Sequence, residues 1–332
     1  MEYRKLGNSD LNISVVTFGA WAAGGWMWGG IEQNDSINAI REGFNSGITS
    51  IDTAPAYGQG KSEEVVGEAI KTLPRDKVQI LTKFGLRWDT DKGEFHFKSV
   101  DNNGKPMNLY KYASKHSIVR ECEESLRRLG TDYIDLYQIH WADPTTPIQE
   151  TMEAVAQLIK DGKVRYAGVC NYNKDQMEEA GKYLTLLSDQ VPYSMLRRKI
   201  EKELVPYLIE NKKSVLVYSP LQFGLLTGKI KPGHKFPVGD LRNDSFYFKV
   251  ENVKRVNVFL DKIKPIADGK NITLAQLVIR WTVEQPGITI ALVGARNPKQ
   301  AKENAKAADV KLSPDEINFI TNELNEIELV SN

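Results

Sequence analysis

The chain has 332 residues, 41% hydrophobic and 26% charged, with 44 basic against 43 acidic side chains and a net charge of +1. That balance gives nucleic acid and anionic membranes no bulk electrostatic claim on it, and no stretch approaches the ~20 apolar residues of a membrane span. The two cysteines, Cys122 and Cys170, lie far apart with no CxxC pair or histidine-rich cluster, which argues against a metal site and for a reducing compartment.

The opening segment MEYRKLGNSDLNIS lacks the apolar core of a signal peptide, so the cytoplasm is the expected location. Its YRKL and LNIS arms around a GNSD turn read as a hairpin. VVTFG (15–19) follows as a strand, and then GAWAAGGWMWGG (19–30), where three tryptophans stand among glycines. They are either simple packing or the border of a pocket. ITSID (48–52) is the next strand, ending on an acid, and Tyr57 comes five residues later. KSEEVVGEAIKTL keeps Val65, Val66, Ala69, Ile70 and Leu73 on one helical face. VQILTK (78–83) is a strand that ends on Lys83.

Residues 84–113 are too long for a plain turn, and their mixture of aromatics and glycine suits a wall over a pocket. SKHSIVRECEESLRRLG predicts a helix from an N-cap at Ser114 to a C-terminal stop at Gly130. YIDLYQIH (133–140) is a strand, and TPIQETMEAVAQLIKDGK a helix with proline in its first turn and Gly162 beyond its end. VRYAGVC (164–170), LLSDQ (186–190), SVLVYS (214–219) and ITIALVG (288–294) complete eight strand candidates, with a second long connection over 220–252. No low-complexity linker divides the chain, which is expected to form one domain over 1–332.

Strands alternating with helices imply a parallel sheet, closed as a (β/α)₈ barrel or open and doubly wound. Asp52, Lys83, His140, Asn171, Gln190, Ser219 and Gly294 each end a different strand. In a barrel those ends converge on one mouth, where active sites are built. Singly, a strand-end Asp is a turn residue, a loop Tyr a packed aromatic, and a buried His a satisfied core group. Together Asp52, Tyr57, Lys83 and His140 suit one task, the donation of a proton to a carbonyl oxygen while hydride arrives at its carbon. A tyrosine hydroxyl titrates near ~10; a nearby lysine would lower that value, an aspartate would keep the lysine charged, and a histidine would orient the substrate oxygen.

The segments GITSIDTAPAYGQGKSEEVVGEAI, ILTKFG, YIDLYQIHWAD, GKVRYAGVCNYN, YSPLQFGLLTGKI and VGARNPKQAKEN resemble, in order and spacing, the aldo-keto reductase superfamily, over nearly the whole chain. The likeness is to the bacterial general-stress and inositol-utilisation types and, more distantly, to potassium-channel β subunits. It implies a (β/α)₈ barrel with an N-terminal hairpin, NADP(H) bound across the mouth without a Rossmann fold, and a catalytic tetrad of Asp52, Tyr57, Lys83 and His140. It also implies a small-molecule carbonyl or polyol substrate and no metal.

By position, Tyr218 would stack on the nicotinamide, with Asn171 and Gln190 on its carboxamide and Trp21 and Asp52 close by. Ser219, Pro220, Leu221, Gln222, Gly224 and Lys229 would follow the pyrophosphate. Arg242, Gly294, Arg296, Gln300, Glu303 and Asn304 would hold the adenosine end, Arg296 being the candidate for a 2′-phosphate beside the helix start at Pro298. Cys170 stands where the family usually has serine, and its thiol is a weaker hydrogen-bond donor than a hydroxyl; it reads as a small buried hydrophobe rather than a redox-sensitive thiol. Trp21, Trp26, Trp28 and Trp141, with Tyr57 and His140, would line an aromatic substrate pocket.

Two other classes compete. A nucleotide-binding regulatory subunit or redox sensor with little turnover would share the fold, although His140 departs from the channel-associated relatives. A barrel hydrolase or isomerase would need a paired carboxylate or metal cluster at the strand ends, and the sequence offers neither.

Overall fold

The computed structural model describes residues 1–30 and 32–330. Eight parallel strands close into a barrel: β1 (Val16–Gly19), β2 (Ser50–Asp52), β3 (Gln79–Phe84), β4 (Ile134–Ile139), β5 (Val164–Cys170), β6 (Leu186–Pro192), β7 (Ser214–Tyr218) and β8 (Ile288–Val293). Each pairs with the next in the chain, and β8 pairs with β1. Helices return the chain outside the strands, so the open sheet is excluded and the architecture is a (β/α)₈ barrel.

The helix signals work as local chemistry requires. Ser114 caps Lys115–Leu129 by accepting the N–H of Ser117, and Gly130 ends it in the left-handed conformation, φ 64°. Pro147 is the cap of Ile148–Lys160 rather than a residue of its first turn. Among the described residues no helix is long and apolar enough to cross a membrane.

Inside the barrel, side chains two apart along a strand share a face, and the strands use this to change character from bottom to top. Leu81 precedes Lys83 on β3, Leu136 precedes Gln138 and His140 along β4, and Leu216 precedes Tyr218 on β7. The lower residues meet Leu187, Ile290 and Leu292 and are closed off by Leu6, Leu11 and Ile13 of the N-terminal hairpin (Tyr3–Lys5 with Asn12–Ser14), all buried. The upper residues face the mouth.

Residues 84–113, expected as a wall over a pocket, fold as a three-stranded antiparallel sheet of Leu86–Arg87, Glu94–Val100 and Pro106–Lys111. Residues 220–252 run as a chain of short 3₁₀ turns at Gln222–Thr227, Leu241–Asp244 and Phe246–Phe248. The two segments flank the mouth on opposite sides of the tryptophan loop 19–30.

Candidate active site

A cavity of about 590 Å³ opens at the C-terminal ends of the strands, within the size range of small-molecule and cofactor sites. Of the residues expected there from sequence, all line it except Lys83, Cys170 and Gln222. Lys83 lies directly behind the wall. Cys170 is buried and Gln222 turns away, its side-chain carbonyl accepting the Ser194 hydroxyl at 2.7 Å; neither residue is part of the cavity wall where the sequence reading placed it.

Asp52 ends β2 and Lys83 stands near the end of neighbouring β3, which pairs Asp52 with Leu81 and aims both side chains inward. Lys83 Nζ donates to Asp52 Oδ1 at 2.6 Å and to the Thr53 carbonyl at 2.9 Å, with both charged groups almost wholly buried. Asp52 Oδ2 accepts from Gln190 Nε2 at 2.7 Å and, at the limit of contact, from Gln138 Nε2 at 3.5 Å. Both carboxylate oxygens are thus engaged, as a buried charge requires. Gln138, unnoticed in the sequence, belongs to this network.

Tyr57 sits in the turn after β2, its ring 5.0 Å from Lys83 Nζ and 5.7 Å, edge to face, from His140. A close backbone crossing fixes it: a Cβ on Gly24 would fall 2.4 Å from the Tyr57 carbonyl oxygen, and one on Gly58 (φ +69°) 2.2 Å from that of Gly24. Only glycine fits at both positions, which explains Gly24 among the tryptophans. Asn102, in the turn of the small sheet, donates to the Gly24 carbonyl at 2.8 Å and ties the loop down.

Burial pushes the Tyr57 hydroxyl up to about 12, and the pull of Lys83 in the other direction does not offset it. Lys83 pulls the value down, as the sequence suggests, but desolvation of the phenolate outweighs the ammonium and the net shift is upward. Burial also opposes the charge on Lys83, but Asp52 and Tyr57 more than compensate and hold it positive. His140 is held neutral by burial, with Lys83 and then His96 adding to the effect. Burial drives the Cys170 thiol far up, so it is inert as a thiolate.

Asn171, in the left-handed conformation (φ 59°), donates Nδ2 to the His140 carbonyl at 3.0 Å and accepts the Tyr218 hydroxyl at 2.9 Å. Ser219 and Phe223 are also left-handed, which turns the strand end sharply into the 3₁₀ segment. Trp21 stacks on Tyr57 at 5.8 Å and Trp26 on Phe97 at 6.2 Å, while the Trp26 indole N–H donates to the Val100 carbonyl at 3.0 Å.

Trp28 packs edge to face against Trp21 at 5.5 Å and reaches from there toward the cationic end of the cavity. Its ring lies under the guanidinium groups of Arg242 (5.3 Å) and Arg296 (5.6 Å). Arg242 is paired with Asp240 at 2.6 Å, whereas Arg296 has no ion-pair partner among the described residues and donates to the Trp28 carbonyl at 3.0 Å. Arg296 loses some of its basicity to burial and to Arg242. It leads into the helix Pro298–Lys306, capped by Asn297. Phe223, His96 and Phe97 also line the cavity; sequence reading missed them because nothing local marks a loop residue as wall.

A (β/α)₈ barrel with a buried Asp–Lys pair, a protonated tyrosine and a neutral histidine at its mouth defines a class of oxidoreductase scaffold. Residues 15–325 match the Aldo/keto reductase family, and the chain belongs to that family. It is 42% identical over 305 residues to the aldo-keto reductase YhdN of Bacillus subtilis, covering 90% of this chain and 86% of that protein. It is 38% identical over 313 residues to an NADH-specific methylglyoxal reductase of Escherichia coli, covering 93% and 94%. A solved glycerol dehydrogenase from Gluconobacter oxydans superposes with a TM-score of 0.87 at 34% identity, covering 97% of this chain and 94% of that one.

Proposed function

We propose that the protein is an NADPH-dependent reductase of aldehydes and ketones, sugars and polyol-derived carbonyls included, with Asp52, Tyr57, Lys83 and His140 as its catalytic group. The observation that carries this reading is the Tyr57 hydroxyl, buried at the cavity wall beside a positive Lys83 and a neutral His140. A neutral imidazole can orient the substrate oxygen without competing for its proton. Tyr57, protonated over the whole neutral range, gives its proton to that oxygen, and the Lys83 ammonium stabilises the phenolate left behind. Asp52 keeps Lys83 charged and in place.

The cavity fits an extended dinucleotide, since it runs from Tyr57 to the cationic end at Arg296 without interruption. Tyr218, Asn171 and Gln190 would hold the nicotinamide, Ser219 to Lys229 the pyrophosphate, and Arg296, Gln300, Glu303 and Asn304 the adenosine. When bound, the reduced nicotinamide supplies hydride to the carbonyl carbon. NADPH is favoured over NADH by Arg296, a guanidinium with no ion-pair partner among the described residues, beside a helix N-terminus and suited to a 2′-phosphate. The E. coli relative, NADH-specific by name, makes this the point to test.

Oxidation of NADPH and NADH is followed by nicotinamide absorbance for wild type and Arg296→Ala. The reading expects wild-type turnover of carbonyls with NADPH preferred, and a loss of about tenfold or more in kcat/KM for NADPH alone in the variant, the worth of one charged hydrogen bond. Equal losses with both dinucleotides would remove the assignment of Arg296.

A further inference from the structure

We propose that His96 is a specificity-determining residue that hydrogen-bonds a second oxygen on the carbon next to the reacting carbonyl, which makes α-oxo and α-hydroxy carbonyls the preferred substrate class. The proposal rests on the reductase reading above. His96 lies on the middle segment Glu94–Val100 of the small sheet, outside the barrel, yet its imidazole reaches the cavity. The ring sits 4.9 Å from that of Trp141 and 5.0 Å from that of Phe97. It is close enough to His140 that its charge would weigh on that residue's basicity.

The walls at this end are otherwise largely apolar, and the indole N–H groups of Trp141 and Trp21, unpaired among the described residues, can only donate. Phe97 and Leu86 offer no hydrogen bond, and the Trp26 indole N–H is spent on Val100 and Ser99. Among the described residues the ring nitrogens of His96 have no hydrogen-bond partner, and burial with the nearby Lys111 charge keeps the ring neutral, with Glu94 opposing. A neutral imidazole carries one donor and one acceptor. With a carbonyl oxygen taken by Tyr57 and His140, His96 is a cavity-lining group that offers both a donor and an acceptor with no partner among the described residues. An adjacent ketone oxygen would accept its N–H, and an adjacent hydroxyl could either accept or donate. A simple alkyl aldehyde would leave that donor unpaired against apolar substrate, which is the situation that discriminates substrates best.

The test uses methylglyoxal and propanal, which differ at the adjacent carbon by an oxygen in place of two hydrogens, with the preferred dinucleotide. The ratio of their kcat/KM values is measured for wild type, His96→Phe and His96→Gln. A ratio within one protein does not depend on how much of it is folded, and comparison between variants cancels the intrinsic reactivity of the two aldehydes. Loss of one neutral hydrogen bond predicts a fall in the ratio of about five- to tenfold in His96→Phe, with His96→Gln recovering most of it. An unchanged ratio in His96→Phe, or a fall that glutamine does not recover, would overturn the role of His96 while leaving the reductase standing. Wild type inert towards both aldehydes and the wider carbonyl panel would overturn the reductase reading and this proposal together.

Discussion

The two ends of the barrel are built from the same strands and differ in almost everything else. At the bottom, Leu81, Leu136 and Leu216 meet the hairpin residues Leu6, Leu11 and Ile13 in a closed apolar plug. One pleat higher, roughly 7 Å along each strand, Lys83, Gln138 and Tyr218 occupy the same face, and Asp52 joins them from β2. The bottom satisfies folding alone. The top buries an ion pair, at a desolvation cost, and holds Tyr57 and His140 away from their ordinary values, as functional sites do. Stability and chemistry are thus separated along the barrel axis, and substitutions at the two ends should fail differently.

The largest effect is expected where both are at stake. Lys83→Met strands Asp52 as an uncompensated buried charge, at a cost of about 3–5 kcal/mol, and it also removes the cation that stabilises the Tyr57 phenolate. Chemical denaturation and turnover should both collapse; a variant stable as wild type would show that the ion pair is not structurally coupled to the barrel.

Leu136→Ala, two residues below Gln138 on β4, should cost a similar 2–5 kcal/mol through the cavity it opens. Here the kcat of the remaining folded protein should stay near wild type, as active-site titration against denaturation would show. A parallel fall in kcat would mean that the two ends are mechanically linked.

A smaller effect separates them by pH. His140 has its folded pKa below the ordinary value, because burial, Lys83 and His96 disfavour its charged form. Its neutral form therefore contributes stability that is fully present above the unfolded pKa of about 6.5 and is lost as pH falls below it. The melting temperature should drop on acidification in wild type and drop less in His140→Gln; identical profiles would contradict the burial argument. The reduction rate should stay flat from neutral to mildly alkaline pH, since Tyr57 gives up its proton only near 12.

Much of this was legible in the sequence because a parallel barrel writes its mouth at predictable places. Asp52, Lys83 and His140 each follow an apolar run, and the eight runs are the eight strands. Ser114 and Gly130 mark their helix ends by local hydrogen-bonding and backbone preferences alone. What could not be read depends on tertiary surroundings. The sign of the Tyr57 shift follows from burial set by Gly24, Trp21 and the small sheet, none of them adjacent in sequence. The small sheet itself pairs short strands with weak alternation, and the polar loop around Asn102 hides that His96 and Phe97 point inward. Trp28 could be read as pocket wall, but its place under Arg242 and Arg296 could not, since that depends on segments more than two hundred residues away.

The central claim is that Tyr57 is the proton donor of a reductase, and Tyr57→Phe tests it most directly. The substitution removes one buried oxygen and keeps the ring against Trp21. Carbonyl reduction and dinucleotide binding would be measured side by side on wild type and variant. The account predicts a loss in kcat of at least ~10²-fold, the contribution of a positioned general acid, with dinucleotide affinity retained. A variant that binds dinucleotide and reduces carbonyls within a few-fold of wild type would contradict it.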